Sequence, residues 1–175
     1  MPSPHFEEAT MRTGKMRDGY VERFWSKVQR NEPNGCWEWL GGRRDHKKNK
    51  PYGVVLWNGK SERSHRVAYT LYYGAIPHGM SIDHTCHNTM CVNPKHLRVC
   101  THSQNMRNAG VPRTNKSGYK GVFRTASGNY SVSIATDNGR IWLGTFSTAE
   151  EAHCVYCVAA AKYHGMFANT GAHDV

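Results

Sequence analysis

Acidic residues are scarce in this chain. Against 23 Lys and Arg stand only 13 Asp and Glu over 175 residues, giving a formal charge of +10 and a pI near 9.5. That balance suits a polyanionic partner and argues against an acid-rich solvating tail. Long apolar runs are missing too. No stretch approaches the ~20 residues that a membrane-spanning helix requires, so no membrane partner is expected. The opening MPSPHFEEATMRTGKMRDG has no apolar segment of the secretory kind and reads as a flexible arm. A cytoplasmic address follows as the expectation, and with it six cysteines that serve as thiols or metal ligands rather than disulfides. Internal repeats and low-complexity tracts are absent. The length suffices for one ordinary domain or two small ones.

The positive charge is unevenly spread. Residues 1–114 hold 18 Lys and Arg against 9 Asp and Glu, whereas residues 115–175 hold 5 against 4. A basic half can be no more than a solvated surface, so charge alone leaves nucleic-acid binding open. Specific motifs must decide it.

In YVERFWSKVQR, apolar Val21, Phe24, Trp25 and Val28 recur at helical spacing and predict a helix over 20–30, ended by the turn NEPNG (31–35). CWEWLGG (36–42) predicts a strand with Trp37 and Trp39 on one face, and RRDHKKNK (43–50) a polar loop. YGVVLWNGKSER predicts a hairpin turning at Asn58-Gly59, which runs on into a helix over 64–73. THSQNMRNAG (101–110) begins with the N-cap residue Thr101 and stops at a glycine, so a short helix is expected. VPRTNKSG reads as a linker. Strands are expected near 119–124, 129–136 and 140–147, followed by a helix over 149–165 that Thr148 caps. The organisation expected is an arm (1–19), a first domain (20–110), a linker (111–116), a second domain (117–170) and a tail (171–175).

Residues 81–97, SIDHTCHNTMCVNPKHL, put three histidines, two cysteines and an aspartate into one turn-rich stretch. A packed core has no use for that density of polar atoms. Cys86, Cys91 and His96, joined by Cys36 at the tip of an earlier strand, could make a tetrahedral zinc set; the bland alternative is small buried cysteines. The zinc set leaves Asp83, His84, Asn93 and Asn105 unexplained. A carboxylate is a hard ligand suited to magnesium or manganese, and an adjacent imidazole titrates near neutral pH, as a general base should. Asn105, in the helix after the hairpin, could complete the ion's site opposite Asp83. Hairpin plus helix around one ion is a ββα-metal arrangement.

DHTCHNTMCVNPKHLRVCTHSQNMRN resembles the HNH nucleases, in particular the phage and intron-borne homing branch with DHxCxNxxCxNPxHL. FWSKV, CWEWLGG and SHRVAYTLYYGAIPHG are similar to that branch as well, so the resemblance covers roughly residues 20–110. It implies His84 as the base that activates water, with Asp83 and Asn105 holding the divalent ion at the scissile phosphate. It also implies that the middle motif residue orients the histidine, a position shared here between Asn93 and His96. Beside this site His65 and Arg66 have two readings: phosphate contacts, or a hydrogen-bonded histidine and a surface charge.

YKGVFR, GNYSVSIAT, RIWLGTFS, AEEA and AAAKYHG resemble the ethylene-response-factor (Apetala-two) DNA-binding domain of plants, over residues 117–169. The resemblance implies a three-stranded antiparallel sheet in the major groove, backed by one helix. It implies that Arg124, Tyr130, Arg140 and Trp142 face DNA. CVYC (154–157) places Cys154 and Cys157 three apart on that helix, which predicts a buried apolar face rather than a metal site.

Together these readings predict an α+β chain: a zinc-stabilised ββα-metal (His-Me finger) nuclease domain, then a small domain of three-stranded antiparallel sheet plus one helix. The expected function is a site-recognising DNA endonuclease of homing type, acting on double-stranded DNA as a monomer or homodimer in a bacterial or phage-infected cell. A catalytically silent, zinc-containing DNA-binding regulator is the alternative.

Overall fold

A computed structural model describes residues 19–30, 35–46 and 49–171. Most of the N-terminal arm, most of the NEPNG turn and the tail after residue 171 lie outside the described residues. The chain forms two compact units, divided between Cys100 and Thr101.

The first unit opens with α1 (Tyr20–Trp25), which stops five residues short of the expected end. Val28–Arg30 instead forms β1, antiparallel to β2 (Trp37–Trp39), with Val28 opposite Trp39 and Arg30 opposite Trp37. The helical spacing of Val28 was genuine, but pairing with a Trp-rich strand outweighs one further helical turn. Trp39 is buried against Phe24, ring centroids 4.8 Å apart, while Trp37 is only half-buried and packs on Trp25. The basic segment expected as a loop supplies β3 (Arg43–His46), which pairs with β4 (Asn49–Trp57), which pairs in turn with β5 (Lys60–Arg63). Its side chains carry no strand pattern because it is an edge strand, where charged residues are tolerated and keep other chains from pairing. Asn58 and Gly59 close the β4–β5 hairpin with φ of 48° and 76°, the two positive values that a type I′ turn needs.

α2 (Ser64–Tyr73) then buries Val67, Ala68 and Leu71 in a core shared with Phe24, Trp39, Ile82, Val92 and Leu97. Two short strands, β6 (Ser81–His84) and β7 (Leu97–Cys100), pair antiparallel, with Asp83 directly opposite Arg98 and His84 opposite Leu97. Between them the chain makes a single 3-10 turn at Pro94–His96.

The second unit begins with α3 (His102–Asn108), held at its start by a reciprocal cap. The Gln104 amide donates to Thr101 Oγ1 and the Thr101 amide donates to Gln104 Oε1. Beyond it lies the sheet β8 (Val122–Arg124), β9 (Tyr130–Thr136) and β10 (Gly139–Phe146), with β9 central and a bulge between Trp142 and Gly144. α4 (Ala149–His164) lays Ala152, Tyr156, Ala159 and Ala160 on Val122, Val132 and Ile134. Gly121, at φ +74°, lies under Tyr156; a Cβ there would stand 2.1 Å from that ring. This is the three-stranded sheet plus helix that the sequence led us to expect. The Cys154–Cys157 pair departs from expectation: Cys154 is exposed and Cys157 half-buried, because Tyr156 and the alanines occupy the face toward the sheet.

The division at Cys100 falls before the expected linker, and side chains explain why. The Lys120 ammonium donates to the main-chain carbonyls of Arg107 and Ala109 at the end of α3. The Arg107 guanidinium pairs with Asp137 in the β9–β10 turn, and Asn169 donates to the Asn108 carbonyl. Asn115, in the expected linker, donates to the carbonyls of Tyr119 and Val122. These bonds build α3 into the sheet unit. A chain ended at residue 114 is expected to keep the β6–β7 pairing while α3 loses its order. Hydrogen exchange of amides 105–109 reads this directly, and protection there in the fragment would show that the helix stands without the sheet.

Candidate active site and metal centre

His84 and Asp83 are adjacent on β6, so strand alternation aims their side chains to opposite faces. Both are buried, at 6% exposure each. The His84 ring meets the main-chain carbonyl of Cys91 through Nε2 at 3.0 Å. A carbonyl only accepts, so Nε2 carries the proton and the neutral ring has its lone pair on Nδ1. Burial pushes the His84 pKa down, which keeps the imidazole neutral and able to take a proton.

His65, from the first turn of α2, meets His84 edge to face with centroids 4.6 Å apart, and Tyr52 lies 5.6 Å from His65. Only 2% of His65 is exposed, and among the described residues its Nδ1 has no hydrogen-bond partner. Burial and the neighbouring His84 drive its pKa well below the ordinary value. His65 is thus buried and packs on His84. Arg66 lies half-exposed on the helix, 3.5 Å from Glu62.

Asp83 is engaged by a residue that sequence reasoning missed. Both Nε and Nη2 of Arg98 donate to its Oδ2, each at 2.8 Å. LRVC by itself carries no functional mark; the register that sets Arg98 opposite Asp83 becomes visible once β6 and β7 are aligned.

Behind the hairpin, the ligand atoms of Cys36, Cys86, Cys91 and His96 all lie within 4.8 Å of one another. Four short devices gather them. Cys36 precedes β2, whose Glu38 bridges Cys91 across the chain. Asn88 ties to Glu38 and Thr89 to the Pro51 carbonyl, fixing the loop that holds Cys86 and Cys91. Asn93 caps the 3-10 turn by accepting from the Lys95 amide, and its Nδ2 donates to the Gly35 carbonyl next to Cys36. A tetrahedral ion with bonds of about 2.3 Å to sulfur and 2.0 Å to nitrogen holds those atoms about 3.6 Å apart. Cys36 and Cys91 place their sulfurs 3.7 and 3.6 Å from His96 Nδ1. The cluster therefore fits a metal ion. A hydrogen bond from the Cys86 thiol, aided by the amide of Asn93, lowers the Cys91 pKa and favours the thiolate that a metal binds.

The structure thus places His96 with the sulfurs and Asn93 on the loop beside them. The group that meets His84 is the Cys91 carbonyl, a main-chain atom that no residue type announces. Asn105 lies half-buried on α3, within the second unit.

On the sheet of the second unit, Arg140 and Trp142 share the face turned away from α4, with guanidinium and indole bonded to Ser133 and Ser131. Trp142 is 67% exposed, and Phe123, opposite Ser131, joins it on that face at 50%. Tyr130 corrects the expectation. It packs against the core with Val132 and Ile134, whose parity along β9 it shares. Arg124, paired with Tyr130 at the exposed end of β8, belongs by alternation to the same side. Phe123 was missed, although the inward Val122 beside it signals its outward direction.

Residues 62–107 match the HNH endonuclease family, and so carry an HNH domain across β5–β7 and the start of the second unit. Protein 2.8 of Escherichia phage T7 is 36% identical over 89 residues, covering 50% of this chain and 58% of that protein. An uncharacterized HNH endonuclease of Acanthamoeba polyphaga mimivirus is 31% identical over 105 residues, 59% of this chain and 54% of the relative. An AP2/ERF and B3 domain-containing transcription factor of Arabidopsis thaliana is 42% identical over 52 residues, 30% of this chain and 15% of that protein. The chain thus combines an HNH domain with an AP2-like one, and spans little more than half the length of the viral relatives. Among the described residues no helix is long and apolar enough to cross a membrane.

The cluster generates a direct test. Elemental analysis of purified protein is expected to find one tightly held transition-metal ion per chain. Cys86→Ser should lower that content and destabilise the first unit by ~2 kcal/mol or more. A metal-free protein that melts normally would refute the centre.

Proposed function

We propose that this chain is a site-recognising DNA endonuclease of homing type, hydrolysing phosphodiester bonds with a histidine general base and one divalent ion. The observation that carries the reading is the contact between His84 Nε2 and the Cys91 carbonyl. It selects the tautomer whose Nδ1 can take a proton from an attacking water, and burial keeps that nitrogen unprotonated at neutral pH. Asp83 and Asn105 offer hard oxygen donors, a carboxylate and an amide, that suit magnesium or manganese. When bound, such an ion neutralises charge developing on the departing 3′-oxygen. Cys36, Cys86, Cys91 and His96 suit structural zinc, since three thiolates and one imidazole are soft donors and complete a closed tetrahedral set.

The nuclease part is proposed to span residues 20–110 and the ethylene-response-factor-like part residues 117–170. The latter reads sequence from the face with Arg140, Trp142 and Phe123. Arginine can fork to guanine in the major groove, and the exposed rings can pack on sugars and thymine methyls. Arg66 and the exposed Arg43 and Arg44 supply phosphate contacts, which set affinity and its salt dependence.

One observation favours the silent-regulator reading: Arg98 already occupies the Asp83 carboxylate. Cleavage decides between the two. His84→Ala is expected to lose nicking of plasmid DNA in magnesium by ~10²-fold or more while DNA binding in a gel-shift assay stays intact. Wild-type protein that binds DNA and never cuts it, with magnesium or manganese, would establish the regulator instead.

A further inference from the structure

We propose that Arg98 is an exchange residue, holding the Asp83 carboxylate until a cation takes it and then turning its guanidinium to a DNA phosphate. This rests on the reading of Asp83 as a cation ligand.

Asp83 and Arg98 face each other directly across the β6–β7 ladder, with side-chain exposures of 6% and 20%. A carboxylate that buried needs a compensating charge, because desolvation penalises an isolated ion heavily. Arg98 supplies it within the hairpin itself. It also stands where it opposes the ion: a guanidinium 2.8 Å from Oδ2 repels any second cation drawn to the same carboxylate. As long as Arg98 keeps that position, the ion must be bound weakly.

The geometry suits exchange rather than a permanent lock. Arg98 Nε and Nη2 both reach Oδ2. A phosphate offers the same guanidinium two oxygens in a parallel fork, a strong charge-assisted pairing. Arg98 is also the more exposed partner and sits on a long flexible stem, so it is the member that can leave. An incoming DNA phosphate therefore gives the guanidinium a new anionic partner as the cation claims Asp83. The divalent cation brings two positive charges and the phosphate one negative charge, so the incoming DNA offsets half of the charge added. The linkage is reciprocal: DNA strengthens cation binding, and the cation strengthens DNA binding.

The signature is a pair of opposite effects that a merely structural arginine would not produce. In full-length, zinc-loaded protein without DNA, manganese affinity is measured by electron paramagnetic resonance. Arg98→Gln is expected to bind manganese about fivefold more tightly than wild type, or better, because the competing charge is gone. The same variant is expected to nick plasmid DNA about tenfold more slowly or worse, having lost the phosphate partner. Unchanged or weakened manganese binding in a folded Arg98→Gln protein overturns the exchange. Should that variant fail to fold, Arg98→Lys decides. It keeps the charge but not the two-donor grip, so its manganese affinity should exceed that of wild type, and an equal or lower affinity overturns the proposal. Asp83→Asn separates the underlying reading. If it leaves manganese affinity unchanged, Asp83 is no ligand and the function proposed above loses its ion. If it weakens manganese while Arg98→Gln does not strengthen it, only the exchange fails.

Discussion

Cys91 serves the site with two different atoms. Its sulfur stands among Cys36, Cys86 and His96, and its main-chain carbonyl meets His84 Nε2 at 3.0 Å. The position of that carbonyl depends on the loop between β6 and β7, which has little apolar mass to hold it. Cys91, Val92 and Pro94 are its fully buried apolar residues, and the remainder is polar or half-buried. Loops of that composition are ordinarily the first parts of a fold to open. A metal ion held by the four ligand atoms, which lie within 4.8 Å of one another, would replace the missing core. A small unit gains rigidity from such a staple at far less cost in chain length than further hydrophobic layers would require. A change that loosens the sulfurs thus also releases the histidine, without touching it.

The second unit shows a different economy. Residues 101–175 hold 7 Lys and Arg against 4 Asp and Glu, yet Arg107 and Lys120 are buried and engaged with Asp137 and with main-chain carbonyls. Little positive charge is left for phosphates. What the outer sheet face exposes is aromatic: Trp142 and Phe123, with Arg140 beside them. Aromatic and arginine contacts in a groove discriminate among bases, whereas lysine-rich surfaces mainly add salt-dependent affinity. The internal use of Arg107 and Lys120 has its own logic, since they satisfy the carbonyl end of α3 and tie it to the sheet.

The site was legible in the sequence to the extent that its parts are local. Cys86, Cys91 and His96 could be picked out as candidate metal ligands because soft donors at turn spacing have few other uses, and the Asn58-Gly59 hairpin because of its turn-forming dipeptide. What could not be read is relational. Arg98 matters through the partner opposite it, and LRVC says nothing about register. The Cys91 carbonyl belongs to the backbone and leaves no mark in composition. Val28 fitted the period of a helix and was drawn into a strand by tryptophans nine to eleven residues away. Tyr130 is a different kind of miss. YSVSIAT alternates plainly, and counting back from Val132 and Ile134 assigns the tyrosine to the helix side. Family resemblance placed it outward; the local pattern was the better guide.

Electroneutrality connects these features. In the first unit two histidines lie 4.6 Å apart in a nearly dry setting, where a second positive charge would be costly; burial holds both below their ordinary pKa. Asp83, on the other face of the same strand, brings a buried negative charge that Arg98 cancels at once. The first unit therefore folds with His65 and His84 neutral and with Asp83 and Arg98 in a closed ion pair. In the proposed function that arrangement would let the strand keep a base and a hard ligand side by side. The same neutrality would make an added cation an excess charge unless an anion entered with it. In the proposed function a DNA backbone would supply that anion at every nucleotide, so the polymer would also make the site receptive to its ion.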